Sequence, residues 1–229
     1  MQLIEQRRKQ DHDQGFTLVE LVITVAIVGV VVVALTGVVI NYLKTSSNTA
    51  GRLTESDSLQ IADIYWQRDV ASVGVRSTTY CTHGTDPGCT ADHSYPLLQS
   101  VNTTPACALP SGNKVVTLAW TQYDVTDPTN PSTITVTYLT QPTGSGTSLR
   151  YNLIRRRCTG SAVNSTIAVA HNLTTDLTAA SAVTCSSPCS SVGNNVPATI
   201  DLTLAASDPS NSSAAPYQTT LVGERRQTS

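Results

Sequence analysis

From Phe16 to Leu43 the chain is almost wholly apolar and rich in valine, interrupted only by Glu20, a few threonines and glycines, and Asn41. A helix needs roughly 20 apolar residues to cross a hydrocarbon core about 30 Å thick, so this run is long enough to span a bilayer. It also exceeds the apolar region of a cleaved secretory signal, which reaches about 15 residues. A polar stretch follows from Lys44 to Ser58. Leu59, Ala62, Trp66, Val70 and Val73 then recur at steps of three and four, the spacing of one helix face, while Asp57, Asp63, Gln67 and Arg68 fall mainly on other faces. The helix is therefore predicted to continue to about Val73 and to end at Gly74. From Phe16 it would be on the order of 85 Å long at about 1.5 Å per residue.

Beyond Gly74 the period changes to two. Val115 to Tyr123, Thr133 to Thr140, Leu149 to Arg156, Thr166 to Leu173, Ala198 to Ala205 and Tyr217 to Val222 read as strands, and Pro142 to Gly146 reads as the turn between the second and third. Ile134, Val136 and Tyr138 share one face, and Thr135 and Thr137 the other. The expected fold class is α+β: a long amino-terminal helical stem, transmembrane in its first half, and an antiparallel sheet with one face on the helix and one face wet. Long connections are expected over Thr82 to Asn113, Asp124 to Ser132, Ser186 to Pro197 and Ala206 to Pro216. No internal repeat is visible in the sequence, and no second domain is expected in the β-rich part.

Glu20 stands out against its surroundings. A carboxylate at the middle of a membrane span costs on the order of 2 to 3 kcal/mol, less near the end, so something should compensate it. Arg7, Arg8 and Lys9 precede the apolar run, whereas only Lys44 and Arg52 follow closely, a bias that keeps the amino terminus in the cytoplasm.

Gly15-Phe16-Thr17-Leu18-Val19-Glu20-Leu21, followed by the apolar run, resembles the prepilin cleavage and methylation site of type IV pilins and type II secretion pseudopilins. The resemblance implies that a prepilin peptidase cuts between Gly15 and Phe16 and methylates Phe16. It also implies that Glu20 pairs with the freed terminal amine of a neighbouring pilin. A buried carboxylate that meets a buried cation is physically reasonable. The expected organisation is then a leader over 1–15, a transmembrane and filament-core helix over 16–43, an amphipathic continuation over 44–73, and an extracytoplasmic β-rich head over 74–229. Two features depart from the family pattern: Glu5, Asp11 and Asp13 dilute the basic leader, and no proline interrupts the apolar run, which leaves Gly29 and Gly37 as sites for bending. Gln67-Arg68-Asp69-Val70, the arginine-bearing strand Tyr151 to Arg157, and the ending Glu224-Arg225-Arg226 look similar to the larger minor subunits of the J type.

Composition agrees with an exported head. Charged residues make up only 13% of the chain against a typical quarter or so, with Ser, Thr and Asn in their place. The 14 basic and 16 acidic side chains leave a formal charge of −2, and the basic residues form only short clusters, so no nucleic-acid contact is expected. Six cysteines, Cys81, Cys89, Cys107, Cys158, Cys185 and Cys189, all follow the apolar run. Their even number on one side of a membrane segment predicts disulfides, with the pairing left open.

Candidate chemistry is sparse. Cys81, His83, Cys89 and His93 lie close together but lack zinc-finger spacing, and a disulfide-closed loop is the expectation. Cys185 and Cys189 have three residues between them and no thioredoxin-like context, which predicts a small structural loop. His171 is expected to be structural. Asp57, Asp63 and Asp69 drift around the helix, and Arg155, Arg156 and Arg157 read as a solvated strand-end cluster. Asn102, Asn164, Asn172 and Asn211 begin Asn-x-Ser/Thr triplets to which no role is assigned. No catalytic, cofactor or metal site is expected. The function expected from these features is that of a minor pilin-like structural subunit, held in the membrane before assembly and extracytoplasmic afterwards. A major pilin and a signal-anchored binding protein or adhesin are the rivals.

Overall fold

The computed structural model describes residues 17–74, 81–85, 98–122, 131–207 and 215–226. Helix α1 (Leu18–Ala71) is followed by strands β1 (Asn113–Gln122), β2 (Ser132–Thr143), β3 (Arg150–Thr159), β4 (Ala162–Leu173), β5 (Val183–Cys185), β6 (Thr199–Ala206) and β7 (Tyr217–Glu224). A four-residue helix α2 (Ala179–Ala182) leads into β5. This is the α+β arrangement expected from the sequence. The chain divides into two compact units, one ending at Ser47 and one running from Asn48 to Ser229.

In the first unit, every described residue from Thr17 to Ser47 is exposed, and α1 is apolar on all sides over Leu18 to Leu43. A helix that is hydrophobic all round belongs in lipid or inside a protein assembly, not in water. Among the described residues, α1 alone is long and apolar enough to cross a membrane.

In the second unit, an antiparallel sheet runs in the order β1-β2-β3-β4-β6-β5, with β7 pairing with β6. The apolar stripe read from the sequence is the face of α1 that packs into the core: Leu59, Ala62, Trp66 and Val70 are all buried, as is Val73 just past the helix. Trp66 donates its indole N–H to the Ile200 carbonyl on β6 at 3.0 Å and meets the Tyr138 ring of β2 edge-on, with centroids 5.2 Å apart. The end of α1 falls two residues short of the expected Val73. Ser72 and Val73 donate their N–H groups to the carbonyls of Asp69 and Val70, and Arg226 donates its own to Ala71, closing the carbonyl end of the helix.

All six expected strands are present in whole or in part. The Tyr123 end of the first lies outside the described residues, and β4 begins at Ala162, four residues earlier than read. Strand β5 was not anticipated, because three residues are too few to show a period. The expectation of one wet face is corrected for β1 and β2, where both faces are buried. Val101 bridges Leu118, Ala119 donates to the Ser100 carbonyl at 2.8 Å, and Ala106 donates to Thr135 Oγ1 at 3.3 Å. A segment following residue 98 therefore lies along β1 and covers the threonine face. There Thr117, Thr135 and Thr137 are buried, and Thr117 and Thr137 share a hydrogen bond of 3.0 Å. A bridge between Cys107 and Cys158 pins this cover to β3. Only towards β4, at Val163, Thr166 and Ala168, does that face meet solvent.

Close packing of α1 against β7 depends on Gly223. A Cβ added there would lie 2.6 Å from both Cβ and Cγ2 of Val70. Gly223→Ala is expected to cost about 1–3 kcal/mol through overpacking, measured by denaturant unfolding followed in the near-ultraviolet circular dichroism. Val70→Ala does not rescue it, because the Val70 Cβ is itself one of the clashing atoms.

Candidate functional site

Two places concentrate unusual chemistry, one in each unit. At the start of α1, Thr17 is the cap: its carbonyl accepts the Leu21 N–H at 3.1 Å and its hydroxyl accepts the Glu20 N–H at 3.3 Å. Thr17-Leu18-Val19-Glu20 has the Thr-x-x-Glu spacing of a capping box, a local sequence signal for the start of the helix. Glu20 thus sits in the first turn, where the partial positive charge of the helix amino terminus favours a carboxylate. That effect is worth about 0.3–1 kcal/mol at an exposed position, against the roughly 2.5–3.5 kcal/mol penalty of a charge at the middle of a span. Gly15 and Phe16 lie outside the described residues. Residues 11–36 match the family model of the prokaryotic N-terminal methylation motif. No curated protein and no solved structure matches the chain. The motif thus covers the cap, Glu20 and the apolar run as far as Thr36, and supports a pilin-type, membrane-anchored amino terminus.

The second place is buried in the sheet unit. Asp69, on the inward face of α1, accepts two hydrogen bonds from Arg155 on β3: Nε to Oδ2 at 2.6 Å and Nη2 to Oδ1 at 2.7 Å. Tyr138 on β2 donates its hydroxyl to Oδ2 at 2.7 Å. Both ionic side chains are 2% exposed. The register explains the meeting, because Tyr138 and Arg155 are directly opposed across the β2–β3 ladder and share the face that α1 covers. The expectation that Arg155 belongs to a solvated cluster is therefore corrected, while Asp57, Asp63 and Asp69 do fall on different faces, exposed, half-buried and buried in turn. Arg156 and Arg157 are partly exposed, donating to Thr166 Oγ1 and to Gln122 Oε1. Asp69 follows Trp66 by three residues, and that spacing was the available signal for its inward direction.

Burial weakens the charged form of Arg155, but the hydrogen bonds and charge of Asp69, with Tyr138 adding to them, outweigh it and raise the guanidinium above its ordinary value. The Tyr138 phenol is pushed well above its ordinary value of 10.0, first by burial and then by the Asp69 charge, against the opposite pull of Arg155. A phenol whose folded pKa exceeds the unfolded one contributes stability that is complete below about pH 10 and is lost as pH rises towards the folded value. Tyr138→Phe should cost about 1.5–3 kcal/mol at neutral pH, the worth of a hydrogen bond to a charged group. It should also flatten the fall of stability above about pH 10, which unfolding titrations of the two proteins would compare.

The cysteines behave as the compartment argument expects. Cys107 pairs with Cys158 and Cys185 with Cys189, Cys81 is disulfide-bonded, and none among those described is free. Cys81 is therefore not available as a metal-binding thiolate; Cys89 and His93 lie outside the described residues. Cys185 and Cys189 close a small loop at the end of β5, as read. His171 sits exposed on β4, where its backbone N–H donates to Ser58 Oγ at 3.0 Å and its Nδ1 lies 3.2 Å from Asn152 Oδ1.

Proposed function

We propose that the chain is a minor pilin-like structural subunit, cut between Gly15 and Phe16 by a prepilin peptidase and assembled through α1 with other pilins or pseudopilins. The observation that carries this reading is the methylation motif at residues 11–36 set on a helix whose apolar surface is exposed on every side. Such a surface needs lipid before assembly and packed neighbours afterwards. Glu20 is the one charged side chain in the run from Phe16 to Leu43, and in a bundle of like helices a freed terminal amine is the cation within reach. The similarity of Gln67 to Val70, of the arginine strand and of the Glu224 to Arg226 ending to J-type subunits supports a minor rather than a major role. A signal-anchored binding protein is the alternative reading, and it predicts an intact amino terminus.

Mass spectrometry of the membrane-derived protein is expected to find an amino-terminal peptide that begins at methylated Phe16. An amino terminus at Met1 would refute the assignment. Glu20→Gln is expected to leave the protein in the membrane while sharply lowering its recovery in sheared filaments; undiminished incorporation would remove the role given to Glu20.

A further inference from the structure

We propose that the basic cavity beside the carboxy-terminal end of α1 binds a carboxylate-bearing small molecule between Arg68 and Arg157. The cavity measures 550 Å³, and its walls include Tyr65, Arg68, Trp120, Arg155, Arg157 and Ser165. Small-ligand sites typically occupy about 300–1,000 Å³.

The charge balance of its walls points to an anion. Three guanidinium groups, Arg68, Arg155 and Arg157, face one carboxylate, Asp69, leaving the described lining at +2 on a chain whose formal charge is −2. That carboxylate is already engaged at both oxygens, which accept two bonds from Arg155 and one from Tyr138. The remaining two cations have no ion-pair partner among the described residues. Arg68 is exposed with its guanidinium 5.0 Å from the Tyr65 ring centre, and the Arg157 guanidinium donates to the neutral Gln122 oxygen at 3.0 Å. Each guanidinium carries five N–H donors in a planar fork, so most of this donor capacity remains for a ligand.

The shape of the lining narrows the class. A planar carboxylate matches the fork of an arginine, as Asp69 and Arg155 show in the same wall. The Tyr65 ring has the guanidinium groups of Arg68 and Arg155 over it, each 5.0 Å from its centre, so it helps to hold both cations at the cavity, and Ser72 and Ser165 bring hydroxyls to its edge. The carbonyl end of α1 does not oppose an anion with bare acceptors, because N–H groups of Ser72, Val73 and Arg226 cover it. An adjoining cavity of 500 Å³ shares Arg68 and Ser72 and adds Arg226, with no acid in its described lining, so the positive field extends past the first cavity. Sugar acids and acidic amino-acid side chains both carry the required group.

The test uses the full chain in nonionic micelles with three probes: galacturonate, galactose, and an acetylated Gly-Glu-Gly amide. Titration calorimetry is expected to show saturable binding of at least one carboxylate probe, weakened by added salt, and none of galactose. The tighter of the two carboxylates identifies the source. Arg68→Gln and Arg157→Gln should each weaken that binding by about tenfold, the worth of a charge-assisted hydrogen bond, while Arg52→Gln leaves it unchanged. Arg68 is exposed, so its variant keeps the test sound should the Arg157 variant misfold. Absence of saturable carboxylate binding, equal binding of galactose, or full affinity in Arg68→Gln would overturn the proposal.

Discussion

Asp69→Ala is expected to destabilise the sheet unit by about 3–5 kcal/mol, a large part of the stability of an ordinary domain. The substitution deletes a small side chain, but its cost comes from what remains. Arg155 is 2% exposed and would keep a full charge facing Tyr138 with no carboxylate to meet it. Arg155→Ala should cost a similar amount by stranding Asp69. The pair as a whole need not stabilise the fold, since a well-packed apolar replacement of a buried ion pair is often neutral or better. The triple variant Asp69→Leu, Arg155→Met and Tyr138→Phe, which leaves no polar group of the cluster unpaired, is therefore expected to recover most of the loss. Unfolding followed through Trp66 and Trp120, both in the core, measures all four proteins on one scale. If the single variants unfold like the parent, the charges are not locked together as described.

Gly15→Val is expected to give an all-or-none result: residues 1–15 stay attached and the protein is absent from filaments, although it still inserts in the membrane. Under the proposed role two physical consequences follow from the uncut leader. The amine of Phe16 remains an amide, so Glu20 loses its cation. Arg7, Arg8, Lys9, Glu5, Asp11 and Asp13 also stay joined to the end of the stem, and each charge drawn into hydrocarbon costs about 2.5–3.5 kcal/mol. Immunoblotting of membrane and sheared-filament fractions separates the outcomes. A signal-anchored protein would show the same size and location with either residue at position 15.

These two experiments address features that were legible to very different degrees. The amino-terminal motif is local: Gly15, Phe16 and Glu20 stand at fixed spacing before an apolar run, and a pattern within a few turns of helix can be read without knowing where the chain goes next. The Asp69–Arg155 pair is separated by 86 residues. Its existence depends on which residues of β3 face α1, and a shift of one residue in strand pairing reverses every side chain. The turn read over Pro142 to Gly146 is corrected: Pro142 and Thr143, still in β2, pair with Tyr151 and Arg150, and the connection runs on through a 3-10 turn at Gly146–Ser148, so its centre did not specify the pairing of Tyr138 with Arg155. Three consecutive arginines also conceal alternation, because residue type cannot mark which one turns inward.

Cover of the threonine face was equally hidden. Thr117, Thr135 and Thr137 look like a wet sheet surface by polarity alone, yet each is buried beneath chain that precedes β1. Hydroxyls tolerate that position because they can bond to one another and to backbone groups, as Thr117 does with Thr137 and Thr135 with the Ala106 N–H.

The amino-acid sequence by itself determined the apolar run and its charged exception, the inward stripe from Leu59 to Val73, the number of long strands and the oxidised state of the cysteine-bearing part. All of these follow from periodicity, composition or compartment, which neighbouring residues carry together. Tertiary structure alone decided which arginine meets Asp69, which face of β1 and β2 is covered, and that Arg68 and Arg157 line one cavity. Those outcomes depend on strand register and on chain returning from far along the sequence, and no local pattern encodes either.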